Sequence, residues 1–195
     1  MIYSFDDLAI KYKNYANIKN KISRDVQSGR LIPVVRGIYE TNPNISGKYL
    51  AGKILGPSYL SFDYALAVYS FIPEAVYNTY TSASFNKRKK KSFENHFGTF
   101  TYSDVPAKVY PLGILLYEED GYSYQIATLE KAICDKLYSL PPVKNLTEFS
   151  HLLFNDLRID ETEFKKLDKD ILEELAPLYH CGNLKFLIKY IRRIK

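Results

Sequence analysis

The chain has 195 residues, 46% hydrophobic and 15% aromatic, with a formal net charge of +5 and two cysteines. That is enough apolar material for one large core or two small ones, and Cys134 and Cys181, far apart and outside any CxxC pair, indicate neither a disulfide framework nor a zinc site and read as packed thiols. No apolar run approaches the roughly 20 residues that span a bilayer, and the first residues lack a signal-peptide pattern, so a soluble cytoplasmic protein with no membrane contact, metal or cofactor is expected.

In chain order, Ser4-Phe5-Asp6-Asp7 has the spacing of a capping box, and Phe5, Leu8, Ala9 and Tyr12 continue it at helical period. A second helix is predicted from about Tyr15 to Ser28, with Ile18, Ile22 and Val26 as its apolar stripe and Gly29 as its stop. Leu31 to Val34 and Ile38 to Glu40 read as two short strands around Val35-Arg36-Gly37, the glycine allowing a turn at positive φ. Turn formers from Thr41 to Gly47 mark a boundary, dividing the chain into residues 1–45 and 46–195.

Beyond it, Tyr59-Leu60-Ser61 reads as a strand entering a helix through Asp63 to Tyr69, which Pro73 ends. Val76 to Ser84, His96 to Tyr102, Lys108 to Tyr117 and Tyr122 to Ile126 are rich in β-branched and aromatic residues, with a hairpin turn at Glu118 to Gly121, so a mostly antiparallel sheet is expected. Helical period returns at Leu129, Ala132, Ile133, Lys136, Leu137 and Leu140 and halts at Pro141-Pro142; Asn145 to Leu157, Glu161 to Leu167, Lys169 to Tyr179 and Leu184 to Ile194 follow as helices. The fold class is α+β, with a small helix, helix, hairpin unit, a sheet domain and a helical final third.

Residues 1–48 carry eight Lys/Arg against four acids, so much of the positive excess lies in the first quarter. At the helical step, Asn17, Asn20, Lys21, Arg24 and Ser28 share one sector opposite the apolar stripe. Asparagine can bond adenine in two places and arginine guanine, while lysine and serine suit phosphate. Arg36 at the hairpin tip would add a cation for backbone or minor groove, making this a winged helix-turn-helix read as DNA-binding. Lys87, Arg88, Lys89, Lys90 and Lys91 form a second basic cluster that could meet phosphates or an acidic partner, with a solvated loop as the plain alternative. Lys185, Lys189, Arg192, Arg193 and Lys195 form a third, read as the wet side of an amphipathic helix.

No P-loop, GxGxxG, GxSxG or HExxH is present, and His96, His151 and His180 are scattered. A nuclease built from Asp63, Glu130 and Lys131 lacks the usual acid-x-Lys spacing, so no catalytic centre is expected. Glu130, Lys131 and Asp135 read as structural, an acid in a first helical turn beside ion pairs.

Three stretches, in order across residues 28 to 138, carry a family resemblance. Ser28-Gly29-Arg30-Leu31-Ile32-Pro33-Val34-Val35-Arg36-Gly37-Ile38-Tyr39 resembles the helix end and wing of AbiEi antitoxins. Tyr59 to Leu66 resembles that family's strand-to-helix segment, and Ile126 to Tyr138, with Glu130-Lys131-Ala132 and Asp135, its EKA…D helix. The resemblance implies a type IV toxin-antitoxin system of abortive infection, a phage defence. The antitoxin represses its own operon at inverted repeats in operator DNA and opposes an AbiEii-like nucleotidyltransferase toxin without forming a stable complex with it. It places the DNA-binding helix on Asn17 to Ser28 and the wing tip on Arg36. The alternative reading is a stand-alone winged-helix repressor with no toxin. The stretch before Asn17 leaves room for one helix where a full winged helix has two.

Overall fold

A computed structural model describes residues 1–74 and 76–193. Ile194 and Lys195, expected in the last helix and the last basic cluster, lie outside them. The described residues contain a three-stranded and a six-stranded sheet.

The first unit comprises β1 (Ile2–Ser4), α1 (Phe5–Lys11), α2 (Ile18–Gln27), β2 (Ile32–Val35) and β3 (Ile38–Glu40). Ser4 closes the expected capping box: its Oγ accepts from the Asp7 amide at 3.1 Å, and its own amide donates to Asp7 Oδ2 at 2.8 Å. Asn17 caps α2, its Oδ1 accepting from the Asn20 amide at 3.0 Å, so the helix starts three residues later than the period alone predicted. Gly37 turns β2 into β3 at φ +83°, with only Phe5 Cβ near the place a methyl would take. The strand order is β1-β3-β2, all antiparallel; β1, which had no signal of its own, pairs with β3 through Tyr3 and Tyr39.

Strand alternation then decides what this small sheet touches. Tyr3 and Tyr39 pack with Leu8, Ile22 and Leu31 beneath the two helices. Ile2, Ile32 and Ile38 pack against the core of the second unit, of which Val34 is a buried member. Polar bonds follow the same seam: Asn95 Nδ2 donates to the Val34 carbonyl at 2.9 Å, and the Tyr122 hydroxyl to the buried Glu40 Oε1 at 3.1 Å. The small sheet is thus sandwiched between its own helices and the larger unit.

The second unit contains α3 (Ala51–Ile54), β4 (Ser58–Leu60), α4 (Phe62–Val68), β5 (Thr79–Ser84), β6 (Lys91–Asn95), β7 (Gly98–Asp104), β8 (Ile114–Glu119) and β9 (Tyr122–Ala127). It closes with α5 (Leu129–Ser139), α6 (Leu146–His151), α7 (Glu161–Lys165), α8 (Lys169–Leu175) and α9 (Gly182–Arg193). The sheet order β6-β7-β5-β4-β9-β8 is mixed: three of its five strand pairs are antiparallel, in line with the mostly antiparallel expectation, while β4 runs parallel to β9 and β5 parallel to β7. Both parallel pairs join strands distant in sequence, with β6 and its hairpin between β5 and β7, and no local pattern records such pairing. Residues Lys108 to Gly113, expected in a strand, form turns that seat Val109 in the core. Phe149, Leu153, Phe164, Leu172, Leu184, Leu187 and Ile191 bury the helical C-terminal region against α5 and the sheet. No described helix is long and apolar enough to cross a membrane.

Candidate nucleic-acid interface

The chemistry of α2 begins with an acid. Asp25 is 1% exposed, and its Oδ1 accepts from Lys21 Nζ at 2.8 Å and from Arg30 Nε at 2.8 Å. Burial pushes the carboxyl up, but hydrogen bonds from Lys21, Tyr12 and Arg30 outweigh it and hold the pKa at about 2. Lys21 Nζ also lies over the rings of Tyr12 and Tyr15, at 5.0 and 5.3 Å. The one carboxylate of α2 therefore points inward, charged and neutralised.

This inward pair turns the solvent face. Lys21 is only 18% exposed, Asn17 spends its amide oxygen on the cap, and Ser28 Oγ donates to the Asp25 carbonyl at 3.2 Å. Asn20 and Arg24 are exposed, and among the described residues their side chains carry no hydrogen bond or ion pair. Lys19, Ser23 and Gln27, absent from the predicted sector, are exposed beside them. Their signal was present: Lys21 and Asp25 are spaced i, i+4, so they share one face of the helix, and their ion pair draws that face toward the packed side.

Arg36 projects from the turn between β2 and β3, exposed and unpaired among the described residues. Between it and α2 lies an open cavity of about 520 Å³ lined by Phe5, Lys19, Ile22, Arg36, Gly37 and Tyr39. Two cations thus border a partly apolar groove, and Asn20 and Arg24 directly follow Lys19 and Ser23 along the helix. The other carboxylates of this first unit are Asp6 and Asp7, in the first turn of α1 with Asp7 engaged by Ser4, and the buried Glu40. A surface of cations, amides and a hydroxyl with its acid tucked away can meet phosphates and the polar edges of bases.

The other basic clusters are placed differently. Residues 87–91 lead from β5 into β6, at the far edge of the large sheet; Lys87 Nζ donates to the Gly56 carbonyl at 2.8 Å, the Arg88 amide to Asp104 Oδ2 at 2.6 Å, and Lys91 pairs with Tyr102 in the ladder. Lys89 and Lys90 remain exposed. At the C-terminal end, Arg192 Nε is paired with Glu173 at 3.0 Å, while Lys185 and Lys189 face solvent along α9.

Asp63, Glu130 and Lys131 go to three separate partners. Asp63 pairs with Lys136 at 2.6 Å, and Glu130 accepts from the Asp168 amide at 3.2 Å. Lys131 is fully buried, its Nζ donating to Asp135 Oδ1 at 3.0 Å and to the Tyr179 hydroxyl at 2.7 Å. Asp135 accepts further from Tyr179 (2.6 Å), Tyr59 (3.0 Å) and Ser61 (2.7 Å), tying α5 to β4, α4 and the turn before α9. Burial lowers the Lys131 pKa and raises those of Tyr59 and Tyr179. His96, His151 and His180 stay apart, and no cluster of metal-ligating side chains occurs among the described residues. No protein-family model matches the chain, and a search of curated proteins likewise finds no match.

Proposed function

We propose that the chain is an antitoxin and operator-binding repressor of a type IV toxin-antitoxin system, with residues 1–45 acting as a reduced winged helix-turn-helix. In this reading α1 and α2 are the helix-turn-helix, β2 and β3 the wing, and β1 closes the sheet where a further helix would precede it. The observation that carries the DNA-binding half is the solvent face of α2. It offers Lys19, Asn20, Ser23, Arg24 and Gln27 without a carboxylate among them, because Asp25 is buried under Lys21 and Arg30. Arg36 extends the cationic surface across the adjoining groove. Arg24 and Asn20 read base edges, and Lys19 and Arg36 hold phosphates. The antitoxin half, with an AbiEii-like nucleotidyltransferase toxin as its functional opponent, rests on the three resembling stretches.

Two experiments test it. Duplexes selected from a random pool by the purified protein should contain an inverted repeat, and Arg24→Ala should weaken binding to them by about 1 to 3 kcal/mol while leaving weak binding to unrelated DNA nearly unchanged. Equal affinity of wild type and Arg24→Ala refutes the helix assignment. Growth arrest caused by a neighbouring nucleotidyltransferase-like gene, relieved when this protein is supplied from an unrelated promoter, supports the antitoxin role; arrest without relief leaves a stand-alone repressor.

A further inference from the structure

The two edges of the large sheet are unlike. β6 begins at Lys91 behind a run of basic residues, and its far end lies against β2, where Asn95 bonds the Val34 carbonyl. Lysines and covering segments are how natural sheets keep their edges from recruiting other strands. β8 has neither. It pairs with β9 over six residues without a bulge, contains no Lys, Arg or Pro, and among the described residues makes no backbone bond except to β9. Leu115, Leu116 and Tyr117 along it are 39%, 63% and 40% exposed.

We propose that β8 is the seat of a twofold dimer of this chain, formed by antiparallel pairing with β8 of a second copy about Leu116. Only alternate residues of an edge strand turn their N–H and C=O outward, so two identical antiparallel strands place residues opposite one another whose numbers add to an even constant. Centring on Leu116 sets Leu116 against Leu116 and Leu115 against Tyr117 on either side of the axis, and leaves Ile114 to face Glu118. All three exposed apolar residues then meet apolar partners. Centring one residue later sets Leu116 against Glu118 and Leu115 against Glu119. Charge selects the direction: a parallel pair stacks Glu118 on Glu118 and Glu119 on Glu119, which repels, whereas the antiparallel pair holds the acidic ends apart. The interface is self-complementary, as a twofold contact must be. One strand per copy falls short of the roughly 800 Å² per partner of a standard interface, so the dimer is reversible.

Sedimentation equilibrium of the full chain tests this without DNA, so the result is independent of the operator reading. Wild type should pass from monomer to dimer below about 200 µM, and Leu116→Lys should weaken the dimer at least about tenfold with an unchanged circular dichroism spectrum and melting midpoint. In a Cys181→Ser background, Leu116→Cys should oxidise to a covalent dimer, its thiols facing each other across the axis, while Val68→Cys on α4, 54% exposed, should not. A wild type that remains monomeric to that concentration, a dimer indifferent to Leu116→Lys, or equal cross-linking at both positions overturns the proposal.

Discussion

Asp25→Asn keeps the shape of the side chain beneath α2 and removes its charge. The carboxyl lies at about pKa 2 in the folded chain against 3.8 ordinarily. At 1.36 kcal/mol per unit, the ionised form stabilises the fold by about 2 kcal/mol. The sign follows from the direction: a carboxyl whose pKa falls on folding contributes in full above its unfolded value. That contribution drains away as pH drops from about 4 through about 2. Urea unfolding followed by circular dichroism should therefore show Asp25→Asn about 2 kcal/mol less stable than wild type at pH 7, and the gap should narrow steadily below pH 4. Other carboxylates titrate in the same window, so the quantity to read is the wild-type minus variant difference, in which they cancel. A gap absent at pH 7, or constant down to pH 2, refutes the view that hydrogen-bonded charge beneath the helix outweighs its burial. The variant also releases Lys21 and Arg30, so its binding to unrelated DNA should grow and become more salt-sensitive.

Removing either partner of the buried Lys131 and Asp135 pair should cost about 3 to 5 kcal/mol in urea unfolding, with Asp135→Leu worse than Lys131→Met, since Asp135 serves four donors and Lys131 only two acceptors. The reverse order would show that the lysine charge, not the hydroxyl network, dominates. Gly98 sits at φ +130°, where an added methyl lies 2.3 Å from the Asn78 carbonyl oxygen; Gly98→Ala should cost about 3 kcal/mol or more by the same assay, and a cost under about 1 kcal/mol refutes the steric argument.

Legibility followed sequence distance. α1 was readable because its whole signal, from the Ser4 cap to Leu8, fits within one turn and its neighbours, and α5 because eleven residues keep one period up to the two prolines. The start of α2 was missed because Tyr15 fits the period, while the competing choice, Asn17 turning its amide back on the helix, is a matter of energy that periodicity does not carry. β1 and β6 escaped because three or five residues become strands only through partners supplied elsewhere, β1 from residues 38–40 and β6 from β7. At the candidate site, Arg24, Asn20 and Arg36 were found as exposed polar residues on the correct elements. Lys19, Ser23 and Gln27 were not, because the sector was set opposite the Ile18, Ile22 and Val26 stripe alone, whereas the packed side of the helix also holds the buried Asp25. Counting apolar residues alone aims a helix imperfectly when a buried ion pair shares the packed side.

The double-sided packing of the three-stranded sheet also limits how this protein can be taken apart or recombined. Residues 1–45 look like a detachable module in the sequence, yet Ile2, Ile32, Val34 and Ile38 face away from their own helices into the neighbouring core. Cut free at the turn after Glu40, the fragment would carry an oily underside with nothing to cover it and would aggregate or melt. A graft onto a foreign partner works only if that partner brings a matching apolar bed. The helix that faces outward and the sheet behind it therefore move as one piece with the rest of the chain, and whatever tilts the larger unit re-aims Arg24 and Arg36 with it.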